Sequence, residues 1–313
     1  MKKVVITGGA GFIGSHITEE CVNNNFEVVV IDDLSTGQRK NIEPFLNKIT
    51  FIEGSILDID LLRKAFEGAD VVFHQAALPS VPKSIEFPLE TNQANLQGTL
   101  NVFVAARDAK VKRVVYASSS SVYGDSPVLP KVETMPYNPL SPYAAQKMMG
   151  EYYGKLFYKL YGLETVGLRY FNVFGPRQNP LSKYAAVIPL FITKIMEDMA
   201  PTINGDGSTT RDFTFVKNVV QANLKAASSP NVGGEVFNIA CGESISLTNL
   251  VDKINTHLNK KIVPQHAVKR AGDIDFSLAD ITKAKSKLGF EPGINFDQGL
   301  YATIESLQGK TPL

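Results

Sequence analysis

A chain of 313 residues, 44% hydrophobic and 20% charged, is long enough for one large domain or two smaller ones. A formal net charge of +1 argues against nucleic acid or an acidic lipid surface as a partner. Cys21 and Cys241 have no CxxC spacing and the four histidines (16, 74, 257, 266) show no i, i+4 pairing, so no disulfide framework and no metal are expected, and the setting reads as cytoplasmic.

No apolar run approaches about 18 residues, so no membrane span is expected. The start, Met1-Lys2-Lys3-Val4-Val5-Ile6, meets glycines at once and reads as a strand, not a signal peptide. Val4 to Thr7 is that strand. Gly8-Gly9-Ala10-Gly11-Phe12-Ile13-Gly14 then holds G-x-x-G-x-x-G (8, 11, 14) and G-x-G-x-x-G (9, 11, 14). Gly8 permits a tight turn, Gly11 lets the backbone approach a pyrophosphate, and Gly14 lets the helix pack closely. A pyrophosphate would sit at Gly11, Phe12, Ile13 and Gly14, where free N–H groups and the helix dipole favour an anion. An amphipathic helix follows (12–24), then a strand (27–31) ending in Asp32. Asp32 lies 18 residues past Gly14, the spacing of a ribose-binding acid. An acid there repels a 2′-phosphate, so the expected cofactor is NAD.

A third strand spans 49–54, and Ser55 and Ile56 end it where an adenine ring would lie. A helix covers 61–67. A fourth strand, 71–77, closes on Ala76 and Ala77, small enough to leave room for the cofactor; His74 reads as a packed core histidine. A long helix from Thr91 to Lys110 is expected to bury Leu96, Leu100, Phe103, Val104 and Ala105 and to place Asn95 within reach of the cofactor. The strand 112–117 runs into Ser118-Ser119-Ser120-Ser121-Val122-Tyr123-Gly124.

Ser141 is a good N-cap and Pro142 suits a first helical position, so a helix starts there and runs to Tyr161 before Gly162. Tyr143 and Lys147 are then one turn apart on one face. An ammonium near a phenol stabilises the phenolate and lowers its pKa from about 10, which makes a general base. The serines that end the preceding strand offer a hydroxyl to the same substrate oxygen. The apolar excess on this helix (Met148, Met149, Tyr152, Tyr153, Leu156, Phe157, Leu160) predicts a subunit contact, shared with the Thr91 helix.

A sixth strand, 165–170, puts Tyr170 and Asn172 at its carboxyl end. After Gly175-Pro176 the strand–helix alternation breaks. Helices are expected over 184–199, 216–227 and 247–259, a turn at Asn204-Gly205-Asp206-Gly207 and a strand at 235–239. The fold class is α/β: a Rossmann-type doubly wound parallel sheet with a smaller interleaved α/β substrate domain. The expected division is 1–172, with returns near 213–240, for the cofactor, and 173–212 with 241–313 for the substrate.

These motifs in this order resemble the extended short-chain dehydrogenase/reductases, and within them the nucleotide-sugar 4-epimerases related to UDP-galactose 4-epimerase. The likeness extends to Leu168-Arg169-Tyr170-Phe171-Asn172-Val173-Phe174-Gly175-Pro176 and Arg270-Ala271-Gly272-Asp273. It implies an NAD-dependent isomerase in which Tyr143 takes the proton from the sugar O4, Ser119 and Ser120 hold O4, and Lys147 holds the nicotinamide ribose. The C4 hydride passes to NAD and returns to the other face. It also implies Asn172, Arg211, Arg270 and Asp273 on the diphosphate and uridine, Ala186, Val187, Ile203 and Asn204 around the uracil, and Ser80 at the sugar. Where epimerases restricted to UDP-glucose and UDP-galactose carry a bulky tyrosine facing the sugar C2 group, this chain has Ser277. With Leu140-Ser141-Pro142-Tyr143-Ala144, Gly175-Pro176-Arg177-Gln178 and Ala185-Ala186-Val187-Ile188-Pro189, this is similar to the UDP-N-acetylglucosamine 4-epimerases and implies UDP-GlcNAc/UDP-GalNAc interconversion, with non-acetylated sugars as secondary substrates; the apolar helix surface predicts a homodimer. The alternatives are UDP-glucose/UDP-galactose or UDP-glucuronate epimerisation, or a non-catalytic NAD-binding sensor. Ser55 stands where an aspartate is usual, and Pro79 where glycine is common.

Overall fold

The computed structural model describes residues 1–180, 186–268 and 276–310. In chain order the first half runs β1 (Lys3–Thr7), α1 (Phe12–Asn23), β2 (Glu27–Asp32), β3 (Ile49–Glu53), α2 (Ile59–Phe66), β4 (Val71–His74), α3 (Val81–Glu86), α4 (Pro88–Asn92), α5 (Gly98–Asp108), β5 (Arg113–Ser119), α6 (Pro142–Tyr161) and β6 (Glu164–Tyr170). The second half runs β7 (Val173–Phe174), α7 (Val187–Met196), β8 (Thr202–Asn204), β9 (Thr210–Arg211), β10 (Thr214–Phe215), α8 (Val216–Ser228), β11 (Glu235–Ile239), β12 (Ile245–Ser246), α9 (Leu247–Leu258), β13 (Gln265–Ala267), α10 (Thr282–Leu288) and α11 (Phe296–Leu307).

Seven parallel strands form the main sheet in the order β11-β6-β5-β4-β1-β2-β3. Side chains alternate across a strand, so each strand feeds two cores. Val4, Ile6, Val28, Val30 and Phe73 meet Ile17 and Cys21 of α1 and Val219 of α8 on one face. Val5, Val29, Ile31 and Val72 meet Leu62 and Phe66 of α2 and Phe103 of α5 on the other. Both faces being covered, the strands read as continuous apolar runs. A third core, around Phe174, Phe213, Phe215 and Phe296, joins α7, α9 and α11 into a smaller lobe. The chain leaves the main sheet after Tyr170 and returns to it with α8 and β11. Among the described residues no helix is long and apolar enough to cross a membrane.

The predicted helix start at Ser141 is present: the Ser141 hydroxyl accepts from Ala144 N, Pro142 follows, and Gly162 closes α6 at φ +70°. The predicted helix from Thr91 differs. It begins earlier, at Pro88, and residues Gln93–Gln97 form a π turn before α5. That extra-wide turn rotates the apolar stripe. Leu96, Leu100 and Val104 are therefore only half-buried, Phe103 and Ala105 are buried as expected, and Val102 and Ala106 take up the remaining core space. The helix α3 has no counterpart in the sequence reading. The helix expected from Tyr184 is described from Val187 onward.

Behind the end of β5 lies a buried polar network. Arg169 of β6 forks onto Glu151 of α6, Nε to Oε1 at 2.9 Å and Nη2 to Oε2 at 2.7 Å, with both side chains 1% exposed. Tyr137 donates to the same carboxylate at 2.8 Å, and the Ser118 hydroxyl donates to it as well. Arg169 also donates to Tyr123 Oη at 2.6 Å, and Tyr123 donates to Asn238 of β11 at 2.7 Å. The fork takes one lone pair of each carboxylate oxygen, and Ser118 and Tyr137 take the others, the condition under which a buried ion pair is tolerated.

Candidate active site

The glycine turn after β1 is built as the spacing predicts. Gly8 sits at φ +71°, and a Cβ there would lie 2.5 Å from Ala76 N at the end of β4. A Cβ on Gly14 would overlap the Gly8 carbonyl oxygen. Gly11 is the N-cap of α1 and offers no side-chain cap, so the first amides of the helix stay free for an anion. Gly14→Ala is expected to cost about 1–3 kcal/mol in a urea melt, since backbone rather than a flexible side chain must move. It should also abolish retention of cofactor, measured as NAD released on acid denaturation; unchanged retention would show that the turn does not hold the pyrophosphate.

Asp32 ends β2 over this turn. Its Oδ2 accepts from Ala10 N at 2.9 Å and its Oδ1 from Leu34 N at 2.9 Å. Burial pushes its carboxyl up, and these two amides pull it back. Strand order reverses between β1 and β4, the place where ligands bind in such sheets. A cavity of about 640 Å³ opens there, within the usual range for a ligand site. Gly8, Gly11, Phe12, Ile13, Gly14, Asp32, Ser55, Ile56, Ala76, Ala77, Ser119, Ser120, Tyr143, Lys147, Tyr170 and Asn172 all line it, and Pro79 does too.

The amide of Tyr143 donates to the Ser84 hydroxyl at 3.1 Å, which docks the first turn of α6 on α3. The Lys147 ammonium donates to Ala117 O at 2.9 Å and lies 5.8 Å from the centre of the Tyr143 ring. Sequence reasoning expects Lys147 to lower the Tyr143 pKa. In the protein's own cavity the balance is the reverse: burial pushes the Tyr143 phenol up to about 12, opposed by a hydrogen bond with Ser119. Burial also pushes Lys147 down to about 8, opposed by the charge of Glu151. Desolvation wins at both groups because the cavity walls bring little charge to the pair.

Two buried polar atoms on this cavity, the Ser121 hydroxyl and the Gln178 Oε1, have no hydrogen-bond partner. Unmatched atoms of this kind call for a ligand or water. With the bare glycine cradle, the free α1 amides and the Asp32 carboxylate, the walls fit a dinucleotide such as NAD.

Other expected positions fall elsewhere. Asn95 does not reach the cavity: its amide accepts from Leu78 N at 2.7 Å and donates to Leu78 O at 3.2 Å and Gln146 at 2.8 Å, so it pins the loop after β4. The Ser80 hydroxyl caps α3 by accepting from Lys83 N, leaving Val81 on the wall instead. Ala186, Val187, Ile203, Asn204 and Arg211 sit in the smaller lobe, off the cavity wall; Ile203 is fully buried in its core, and Arg211 donates to Thr210 O at 2.9 Å. Ser277 is buried off the wall, with its hydroxyl 3.5 Å from the Asn172 amide nitrogen. Arg270 and Asp273 lie outside the described residues. His74 is a core histidine as predicted, held between the Thr7 and Thr99 hydroxyls at 2.7 and 2.9 Å. Sequence reasoning missed Gln75 and Gln93, which line the cavity without a motif to mark them, and gave no role to Gln178 although its motif stood out.

The NAD dependent epimerase/dehydratase family matches residues 4–240. A putative UDP-glucose 4-epimerase of Methanocaldococcus jannaschii is 41% identical over 303 residues, covering 96% of this chain and 97% of that protein. The UDP-glucose 4-epimerase of Mycolicibacterium smegmatis is 37% identical, covering 99% of each. Among solved structures, the UDP-N-acetylglucosamine 4-epimerase from Methanobrevibacter ruminantium, in complex with UDP-N-acetylmuramic acid, superposes with a TM-score of 0.95 at 42% identity over 98% of each chain. The UDP-glucuronic acid 4-epimerase from Bacillus cereus, in complex with UDP-glucuronic acid and NAD, does so with a TM-score of 0.92 at 32% identity over 98% of this chain and 99% of that one.

Proposed function

Because the chain belongs to the NAD dependent epimerase/dehydratase family, we propose from its cavity that it interconverts UDP-GlcNAc and UDP-GalNAc. It is an NAD-dependent isomerase, a 4-epimerase of UDP-sugars. The observation that carries the assignment of roles is that Ser119, Tyr143 and Lys147 share a single cavity with the glycine cradle and Asp32. Asp32 holds the adenosine ribose, the first amides of α1 hold the pyrophosphate, and Ser55 and Ile56 flank the adenine. NAD, when bound, would supply a two-electron oxidant that is regenerated within each turnover, and in its oxidised form a positive charge in addition to that of Lys147.

The residues of this chain then manage the proton. Tyr143, ionised, takes the proton of the sugar O4 hydroxyl as the C4–H bond breaks, leaving a 4-ketone. Ser119, with Ser120 beside it, donates to O4 and holds it near the phenol. Lys147 supplies the cation that steadies the phenolate. After the ketone turns over, Tyr143 returns the same proton to O4 as the C4–H bond re-forms on the opposite face. The lobe of 173–212 and 241–313 is the proposed UDP-binding part, with Asn172, Arg211, Arg270 and Asp273 as the diphosphate and uridine contacts. The free thiols Cys21 and Cys241 suit a reducing compartment, and the cytoplasm is the proposed location.

Ser277 supports the acetylated substrate. It is small, and it lies beside Asn172, which is on the cavity wall. The 42% identity to a UDP-N-acetylglucosamine 4-epimerase supports the same reading. The test is to incubate the purified protein, without added NAD, with UDP-GlcNAc, UDP-glucose or UDP-glucuronate, and to resolve the 4-epimers by chromatography. Faster conversion of UDP-GlcNAc is expected; conversion of UDP-glucose alone would reject the Ser277 reading. Ser277→Tyr should lower kcat/KM for UDP-GlcNAc at least about tenfold relative to UDP-glucose, the scale on which a filled pocket discriminates. Stoichiometric bound NAD with no turnover on any of the three would favour a sensor.

A homodimer is proposed through α4, α5 and α6. Leu89 (82% exposed), Tyr152 (47%), Leu156 (46%) and Leu160 (67%) leave an apolar surface on these helices that a monomer would hold in water. Light scattering at micromolar concentration should give twice the 34.2 kDa chain mass; a monomer would remove the proposal.

A further inference from the structure

The residues that manage the proton stand on two elements that must be held in register: Ser119 at the end of β5, and Tyr143 with Lys147 on α6. Lys147 itself reaches β5 through Ala117 O, and a further side chain of α6 also touches both elements. Glu151 lies one turn beyond Lys147 on α6, so Tyr143, Lys147 and Glu151 follow one another at i, i+4 and i+8 along one stripe. Its carboxylate accepts from the hydroxyl of Ser118, the residue directly before Ser119. Ser118 is the register partner of Arg169 across β5 and β6. The fork from Arg169 fixes the orientation of the carboxylate, and Tyr137 satisfies its remaining edge.

We propose that Glu151 is a positioning residue for the reaction: it ties the end of the serine strand to the Tyr143 helix and places a carboxylate one turn beyond the Lys147 ammonium. The inference rests on the reading of Tyr143 and Lys147 given above. It explains why a carboxylate is buried 2% exposed where a leucine would fill the space at lower desolvation cost. The direction of the Lys147 shift agrees, since burial works against its charge and Glu151 works for it. The other groups around this pair are known. Tyr143 faces Lys147 on the same helix. His74 of β4 is close enough that the Lys147 charge disfavours its protonation. Behind the carboxylate stand Tyr116 of β5, Tyr123, Tyr137 and Arg169. Among these, Glu151 is the group that acts to keep the Lys147 proton on.

The experiment compares wild type with S118A, with E151Q/R169M and with Y143F, each as purified holoenzyme. S118A removes the tie and keeps the ion pair. It should lower kcat about tenfold with KM within twofold, since a small misplacement of a reacting group is costly, and it should leave the pH profile in place. E151Q/R169M removes both charges together, so no buried charge is orphaned. It should move the alkaline limb of the kcat profile to lower pH by about half a unit or more, because Lys147 loses its proton sooner without Glu151. A merely structural role would lower the melting temperature and leave that limb where it is. An unmoved limb overturns the charge role, and S118A with kcat within twofold of wild type overturns the tie. Should the double variant fail to fold, S118A decides the tie and the single variant E151Q decides the alkaline limb. Y143F separates the two readings: full activity in Y143F would sink the assignment of the base itself, whereas an inactive Y143F beside unaffected S118A and E151Q/R169M would sink only the role of Glu151.

Discussion

Replacing Tyr143 with phenylalanine is expected to lower kcat at least about 10³-fold while leaving KM for the UDP-sugar within a few-fold, the signature of an interaction made only in the transition state. Phenylalanine preserves the ring that packs at the cavity and the backbone N–H that docks on Ser84, so the loss falls on the phenol oxygen alone. No neighbour replaces it. Lys147 is committed to Ala117 O, and the Ser119 hydroxyl is a far weaker base. Epimer ratios followed by chromatography give the rate, and NAD released on denaturation shows that the cofactor is still held. A variant within tenfold of wild type would move the base elsewhere. The wild-type profile carries a second expectation. With Lys147 pushed down to about 8, its ammonium is present below that pH and lost above it, so kcat should fall on the alkaline side as the pH rises through about 8. A profile flat to pH 9.5 would mean that bound substrate and cofactor restore the Lys147 proton.

The largest effect on stability is expected from Arg169→Met. Methionine fills much of the volume but leaves the Glu151 carboxylate buried without its fork, and orphaning one member of a buried ion pair costs about 3–5 kcal/mol. Tyr123 also loses the donor it accepts from. Urea titration at neutral pH should show the unfolding free energy falling by that amount, as a lower midpoint with an unchanged slope. Adding Glu151→Gln should recover most of it, since the uncompensated charge is then gone. A single variant within about 1 kcal/mol of wild type would mean that water or a shift of the Ser118 strand reaches the carboxylate.

Much of this was legible in the residues because it depends on near neighbours in the chain. The turn at Gly8 and the close packing at Gly14 follow from backbone sterics at fixed spacing. The start of α6 follows from Ser141 and Pro142, its end from Gly162. Tyr143 and Lys147 share a face because a helix repeats every 3.6 residues. What stayed hidden depends on the third dimension. Asn95 has the right spacing for the cofactor, yet its amide is spent on Leu78 and Gln146, from segments that a helical wheel does not see. The π turn at Gln93–Gln97 leaves no mark in composition, so the apolar stripe of the following helix was placed out of phase. The direction of the Tyr143 shift depends on how deeply the phenol is buried, which spacing does not report. The alignment of Glu151 with Arg169 needs the pairing of β5 with β6 before it exists at all.

The return of β11 to the edge of the main sheet sets an order of events during synthesis. Glu164–Tyr170 acquires its outer neighbour only when Glu235–Ile239 has been made. At about 5–20 residues per second, the intervening stretch keeps β6 a bare edge for on the order of 3–13 s, even after the exit tunnel has released it. A bare apolar edge invites pairing with another nascent chain. Cuts made within 171–234, or stalled translation there, should therefore yield aggregates rather than a free cofactor-binding fragment, and a chaperone that shields strand edges should matter most while that stretch is emerging.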